Sequence, residues 1–209
     1  MSKKNPVRRA IVTPDKHFPL ADMPAINVVC KAIEIVKPDI YIDLGDVGEW
    51  HGCSHWQWRK KKRPPIEYQL PFIEKDIVAV NKGMDIIDES LDKVNCKEKY
   101  MIEGNHDDWM NRFTDEHPYL NYTFKNVVNL DKRGYTFYPI GKYLKIGKLF
   151  FYHGHHFGSI SHARNHLVRL GSNIMYGHHH DLQQSSVTHM DGVKSAWSIG
   201  CLKDMTDEK

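Results

Sequence analysis

Cysteine is scarce in this 209-residue chain, and the four present (Cys30, Cys53, Cys96 and Cys201) lie far apart with no Cys-Xaa-Xaa-Cys pair. That excludes a disulfide framework or a thiolate zinc cluster as the organising element, and it fits a reduced, cytoplasmic chain. No run of about 18 apolar residues is present, so no membrane span is expected. The start, MSKKNPVRRAIV, carries positive charge but lacks the apolar core of a secretory leader. Excess charge is also missing. The 29 Lys+Arg nearly balance 26 Asp+Glu, for a formal +3, which excludes a histone-like polycation but allows a local basic patch. No internal repeat or Gly/Ser linker divides the chain, so residues 1–209 are expected to form one domain. The apolar share, 41%, is enough for a real core. Histidine is the residue in abundance: 14 imidazoles, each a candidate metal ligand or acid–base group.

Short apolar runs alternate with helical periodicity. Ala10 to Val12, Ile40 to Leu44 and Tyr100 to Ile102 read as buried strands. Residues 22 to 36 read as a helix stopped by Lys37-Pro38. Residues 67 to 94 read as a long amphipathic helix that covers a sheet, with Gly83 as its weak point. The second half is mostly strands: Tyr135 to Tyr138, Tyr143 to Ile146, Lys148 to Tyr152 and Asn173 to Tyr176. A helix from Ser159 to Leu170 stops at Gly171, and Asp191-Gly192 reads as a hairpin turn between Val187–Met190 and Val193–Ile199. Two mixed sheets face to face, with helices outside, satisfy both halves.

Five polar clusters follow five of these apolar runs. They are Asp15-Lys16-His17, Gly45-Asp46, Gly104-Asn105-His106-Asp107, His153-Gly154 and Gly177-His178-His179-His180. Active sites of α/β proteins gather at the carboxyl ends of strands, on loops that the sheet holds. Each candidate strand therefore delivers Asp, Asn or His to one edge. In an extended segment, alternation would turn His178 and His180 to one side and His179 to the other.

In this order and spacing the five blocks resemble the calcineurin-like metallophosphoesterase family, whose pattern is Asp-Xaa-His, Gly-Asp, Gly-Asn-His-Asp/Glu, His and Gly-His-Xaa-His. The resemblance runs from residue 15 to residue 180. It implies a four-layer αββα sandwich with two divalent metal ions at the sheet edge. It also implies that Asp15, His17, Asp46 and His180 hold one metal, and that Asp46, Asn105, His153 and His178 hold the other. Manganese is the first expectation, and Fe, Zn or Ni accept the same mixed N/O shell. The implied reaction is in-line attack on phosphorus by a hydroxide bridging the metals, with His106 as general acid and Asp107 orienting its imidazole.

The stretch from Trp50 to Pro65 departs from that pattern. Five consecutive basic residues, Arg59 to Arg63, stand beside Trp50, Trp56 and Trp58, which combines charge for phosphates with flat faces for bases. Trp56, Trp58, Arg59, Lys60 and His155 are accordingly candidate substrate contacts, and nucleic acid or a nucleotide is a candidate partner. The same run also fits a solvated charged stretch whose tryptophans pack the loop. His162 and His166, four apart on the predicted helix, read as a solvated face. The protein Ser/Thr phosphatases are disfavoured because Gly45-Asp46-Val47-Gly48-Glu49-Trp50 lacks their arginine. The blocks look closer to bacterial and phage phosphodiesterases and exonuclease-like members. A phosphomonoesterase and a non-catalytic binding scaffold stay as alternatives.

Overall fold

The structure is a computed structural model that describes residues 7–56 and 62–206. Its first sheet has order β1-β2-β3-β4, formed by β1 (Ala10–Thr13), β2 (Ile40–Asp43), β3 (Glu98–Ile102) and β4 (Tyr135–Tyr138). All of its pairings are parallel, so this sheet is not mixed as expected. The second sheet has order β5-β6-β7-β9-β8 and is mixed. It comprises β5 (Leu144–Ile146), β6 (Leu149–Tyr152), β7 (Asn173–Tyr176), β8 (Leu182–His189) and β9 (Gly192–Ile199). β6, β7 and β9 run parallel, and β5 and β8 pair antiparallel at the edges.

Strand alternation sorts the core into layers. Tyr41 and Met101 turn outward and pack with Ile26 and Ile33 of α1 (Met23–Val36) and Ile73, Val80, Met84, Ile87 and Leu91 of α2 (Ile66–Lys93). Ile40, Ile42 and Ile102 turn inward and meet Leu144 and Phe151 of the second sheet. On that sheet's outer face, Tyr152, Ile174 and Tyr176 pack against Ala163 and Leu167 of α5 (His162–Leu170). The layers are helix, sheet, sheet, helix, as the resemblance implied. No helix among the described residues is long and apolar enough to cross a membrane.

Register places the site. Thr13 pairs with Asp43, and Asp43 with Met101, so the loops beginning at Pro14, Leu44 and Glu103 leave one edge nearly level. In the second sheet Tyr152 pairs with Tyr176, which sets His153 beside Gly177.

Three local expectations need correction. Asn105 to Glu116 is a helix, α3, and a short helix α4 (Phe124–Val127) follows. The hairpin loop is Met190-Asp191, with His189 opposite Gly192, one residue earlier than predicted, and β8 begins at Leu182. Gly83 is not a weak point but a contact: a methyl there would enter the Phe18 ring, and Phe18 follows His17. Gly83→Ala is expected to lower stability by about 1–3 kcal/mol through overpacking, although propensity alone would add roughly 1 kcal/mol. The sign of the shift in a urea denaturation midpoint checks this, and a stabilised variant would contradict the packing.

Candidate metal centre

The five polar loops meet at the shared edge. Two sets of ligand atoms converge there, Asp15 with His17 and His180, and Asp46 with His153 and His178. Asp46 sits between them. Its Oδ2 lies 3.2 Å from His153 Nε2 and 3.7 Å from His17 Nε2, and its Oδ1 accepts the His106 N–H at 2.8 Å. His17 Nε2 lies 3.1 Å from His180 Nε2, and Asn105 Oδ1 lies 2.8 Å from His153 Nε2. All seven residues expected to hold metal therefore stand together.

The backbone is bent to achieve this. Asp15 (φ 22°), His17 (50°), Asp46 (48°), His178 (68°) and His180 (59°) all take left-handed conformations, which L-residues hold only where the surroundings over-determine them. The Gly177–His180 segment is thus not extended. His178 and His180 reach the site through left-handed turns, and a tight turn closes from His179 N to Gly177 O at 2.8 Å. His179 faces away and stacks on His162, with ring centroids 3.9 Å apart. Two glycines are required by close approach. A methyl on Gly104 would collide with Asp46, and one on Gly177 with the Asp15 carboxylate. That carboxylate accepts His178 N on both oxygens at 2.9 Å.

The donor set fits a cation. His153 Nδ1 donates to Leu44 O at 2.9 Å, so the lone pair of the neutral ring lies on Nε2. That nitrogen faces the Asp46 carboxylate and the Asn105 carbonyl oxygen, which are both acceptors. Acceptors gather in a buried site around positive charge, here a proton on His153 Nε2 or a cation that takes its place. The proton affinities carry the same mark. Burial works against a charge on His153, yet the Asp46 carboxylate raises its pKa to about 10. His178 is pushed down to about 3 by burial and by His153, which leaves a neutral ring suited to ligation. Burial lifts Asp15 to about 7.

His106 stands next to this cage. Its ring centroid is 4.7 Å from that of His17, and it leans on Trp109 at 3.9 Å. Its Nδ1 donates to Glu49 O at 3.0 Å. Asp107 does not orient this ring, which corrects the expectation. As the third residue of α3 it turns back to cap the helix, accepting Gly104 N at 3.1 Å. It also accepts Val47 N at 3.2 Å, Gly48 N at 3.4 Å and Trp50 Nε1 at 2.9 Å. Burial, with the nearby Asp46 charge, raises its pKa to about 7. Trp50 is fully buried by this bond, so it is no stacking face for a base. Trp56 is 64% exposed. Trp58, Arg59 and Lys60 lie outside the described residues. Arg63 is committed to Glu116 and to the Phe113 ring. His155 lines the site, stacked 5.9 Å from His153, and burial pushes its pKa down to about 4.

Glu49 is a site residue that sequence reasoning passed over. Its carboxylate lies 2.9 Å from His17 Nδ1 and 3.6 Å from Lys203 Nζ, while its carbonyl holds His106. A carboxylate three residues past Asp46, in the same loop, was the available signal. His162 and His166 are buried rather than solvated. His162 bonds Tyr176 Oη at 2.7 Å and Asp181 at 2.9 Å, and His166 Nδ1 lies 2.7 Å from His162 O.

A family model described as calcineurin-like phosphoesterase matches residues 9–197. The chain belongs to the calcineurin-like phosphoesterase family. It is a metal-dependent phosphoester hydrolase, of a family that uses two metal ions. Gene 54 protein of Mycobacterium phage D29 is 24% identical to it over 216 residues, covering 92% of this chain and 74% of that protein. Two crystal structures are similar at 12% identity. Pseudomonas putida nuclease MPE has a TM-score of 0.46 and covers 95% of this chain and 76% of its own. Chaetomium thermophilum Vps29 has a TM-score of 0.48 and covers 97% and 78%.

The Trp50–Asp107 bond ties the Asp46 loop to α3. Trp50→Phe removes one of the four donors to the buried Asp107 carboxylate and leaves a void where the indole was, and is expected to cost about 2 kcal/mol, read from chemical denaturation. An unchanged midpoint would show that the bond carries no weight.

Proposed function

We propose that this phosphoesterase cleaves phosphodiesters in nucleotides or nucleic acid. In this reading Asp15, His17, Asp46 and His180 hold one divalent cation, and Asp46, Asn105, His153 and His178 hold a second. The observation that carries it is the place of Asp46 Oδ2, facing one histidine from each set at 3.7 and 3.2 Å. When bound, the two cations would polarise the phosphate and acidify a water. Manganese is the proposed metal, and Fe, Zn and Ni suit the same donors.

The chain's own groups supply the rest. Nδ1 of His106 is engaged by the Glu49 carbonyl, so the doubly protonated ring holds its second proton on Nε2, from which it would pass to the leaving oxygen. Asp107 acts through the backbone, fixing the Asp46 loop against α3. His155 lines the edge where a substrate would lie. The exposed Trp56 and the basic run that follows it support a strand or nucleotide substrate. The scarcity and wide spacing of cysteine in the sequence support a reducing, cytoplasmic setting.

Chelation should abolish hydrolysis, and Mn(II) should restore it. Side-by-side rates on bis-p-nitrophenyl phosphate, p-nitrophenyl phosphate and single-stranded DNA test the substrate class. Preference for the diester and DNA is expected, and a dominant monoester rate would sink the reading. His106→Asn should keep both metal equivalents and lose about 10²–10⁴-fold on an alkyl diester. Equal rates for variant and wild type would remove His106 from the reaction.

A further inference from the structure

Lys16 lies between Asp15 and His17, but its side chain runs away from the cation sites into the core. Its Nζ lies 2.6 Å from Asp43 Oδ2, and both side chains are 0% exposed. Lysine is almost never fully buried without a partner, and removing one partner of such a pair leaves an uncompensated charge.

Asp43 ends β2 and is tied in more than one direction. Its Oδ1 accepts Gly45 N at 3.2 Å, and Tyr41 Oη donates to its Oδ2 at 3.5 Å. Tyr41 Oη in turn shares a 2.6 Å hydrogen bond with Thr13 Oγ1 of β1. One carboxylate thus grips the loop of Asp15 and His17 through Lys16, and the loop of Asp46 through Gly45. The backbone around Lys16 needs such a grip. Asp15 and His17, on either side, both have left-handed φ, and Lys16 N and His17 N converge on Asp46 O at 3.0 and 2.9 Å.

We propose that the Lys16–Asp43 pair is a positioning device that locks Asp15 and His17 in their cation-holding conformation, a role that rests on the two-cation reading of the site. The pair touches neither substrate nor reacting atoms. It acts chiefly on the first cation site, because Asp15 and His17 belong to that site alone, whereas the second site is reached only through the shared Asp46, by way of Gly45, and through His178, whose N–H the Asp15 carboxylate accepts.

The test is calorimetric titration of chelator-stripped protein with Mn(II), with a urea melt of each sample as the check on folding. Wild type should take up two equivalents. The Lys16→Met/Asp43→Leu double variant removes both charges at once, so neither is stranded. It should keep the second site and bind at the first about 10–100-fold more weakly, the usual effect of losing a partner behind a ligand. Equal weakening of both sites, or two equivalents at wild-type affinity, overturns the proposal. Should the double variant not fold, Lys16→Met/Asp43→Asn, which also strands no charge and keeps an acceptor for Gly45 N, carries the same test with the same expected and overturning results. Wild-type protein that takes up no Mn(II) overturns the two-cation reading itself, and the role of the pair falls with it.

Discussion

The site rests on a crowd of electron pairs gathered around one carboxylate. Asp46 Oδ2, two imidazole nitrogens and an amide oxygen lie within a few ångströms in a buried pocket, where like-natured acceptors repel and desolvation is costly. Such an arrangement is stable only around positive charge, and the fold is arranged to enforce it. Five of the seven proposed ligands adopt left-handed backbone. Glycines at 104 and 177 admit the Asp46 and Asp15 carboxylates where any side chain would collide. The Asp107 cap, the Lys16–Asp43 pair and the histidine layer behind His179 hold the loops from beneath.

The reason this assembly falls at one edge is register. In a parallel sheet, strands paired level end together, and their following loops share a face. Thr13, Asp43 and Met101 are level in the first sheet, and Tyr152 and Tyr176 in the second. The two sheets pack through Ile40, Ile42, Leu44, Leu144 and Phe151, which brings the two loop sets against each other. The C-terminal segment closes the arrangement, with Leu202 N donating to Asp15 O at 2.8 Å and Lys203 beside Glu49.

Much of this was legible in the residues. Most strands announced themselves as apolar runs, the polar first half of β8 excepted, α2 by its spacing of three and four, and the polar clusters that meet at one edge by their place after each strand. What was hidden has physical causes. α3 opens within a polar motif, Asn105-His106-Asp107, so the chemistry masked the helix start that Gly104 and Asp107 encode together. Asp107 looked like the partner of His106 because they are adjacent, but adjacent helical residues point apart. His162 and His166 looked solvated because imidazole is polar. Their partners, Tyr176, Asp181 and a main-chain carbonyl, become neighbours only after folding. The turn of the β8–β9 hairpin slipped by one residue because Gly192 takes its positive φ in the strand rather than in the loop.

The central claim is that two cations sit on either side of Asp46. Anomalous diffraction from crystals of Mn(II)-loaded protein tests it most directly. The account predicts two peaks roughly 3.5–4 Å apart, one against Asp15, His17 and His180, the other against Asn105, His153 and His178. A single peak, or none at Asp46 in fully loaded protein, would contradict it.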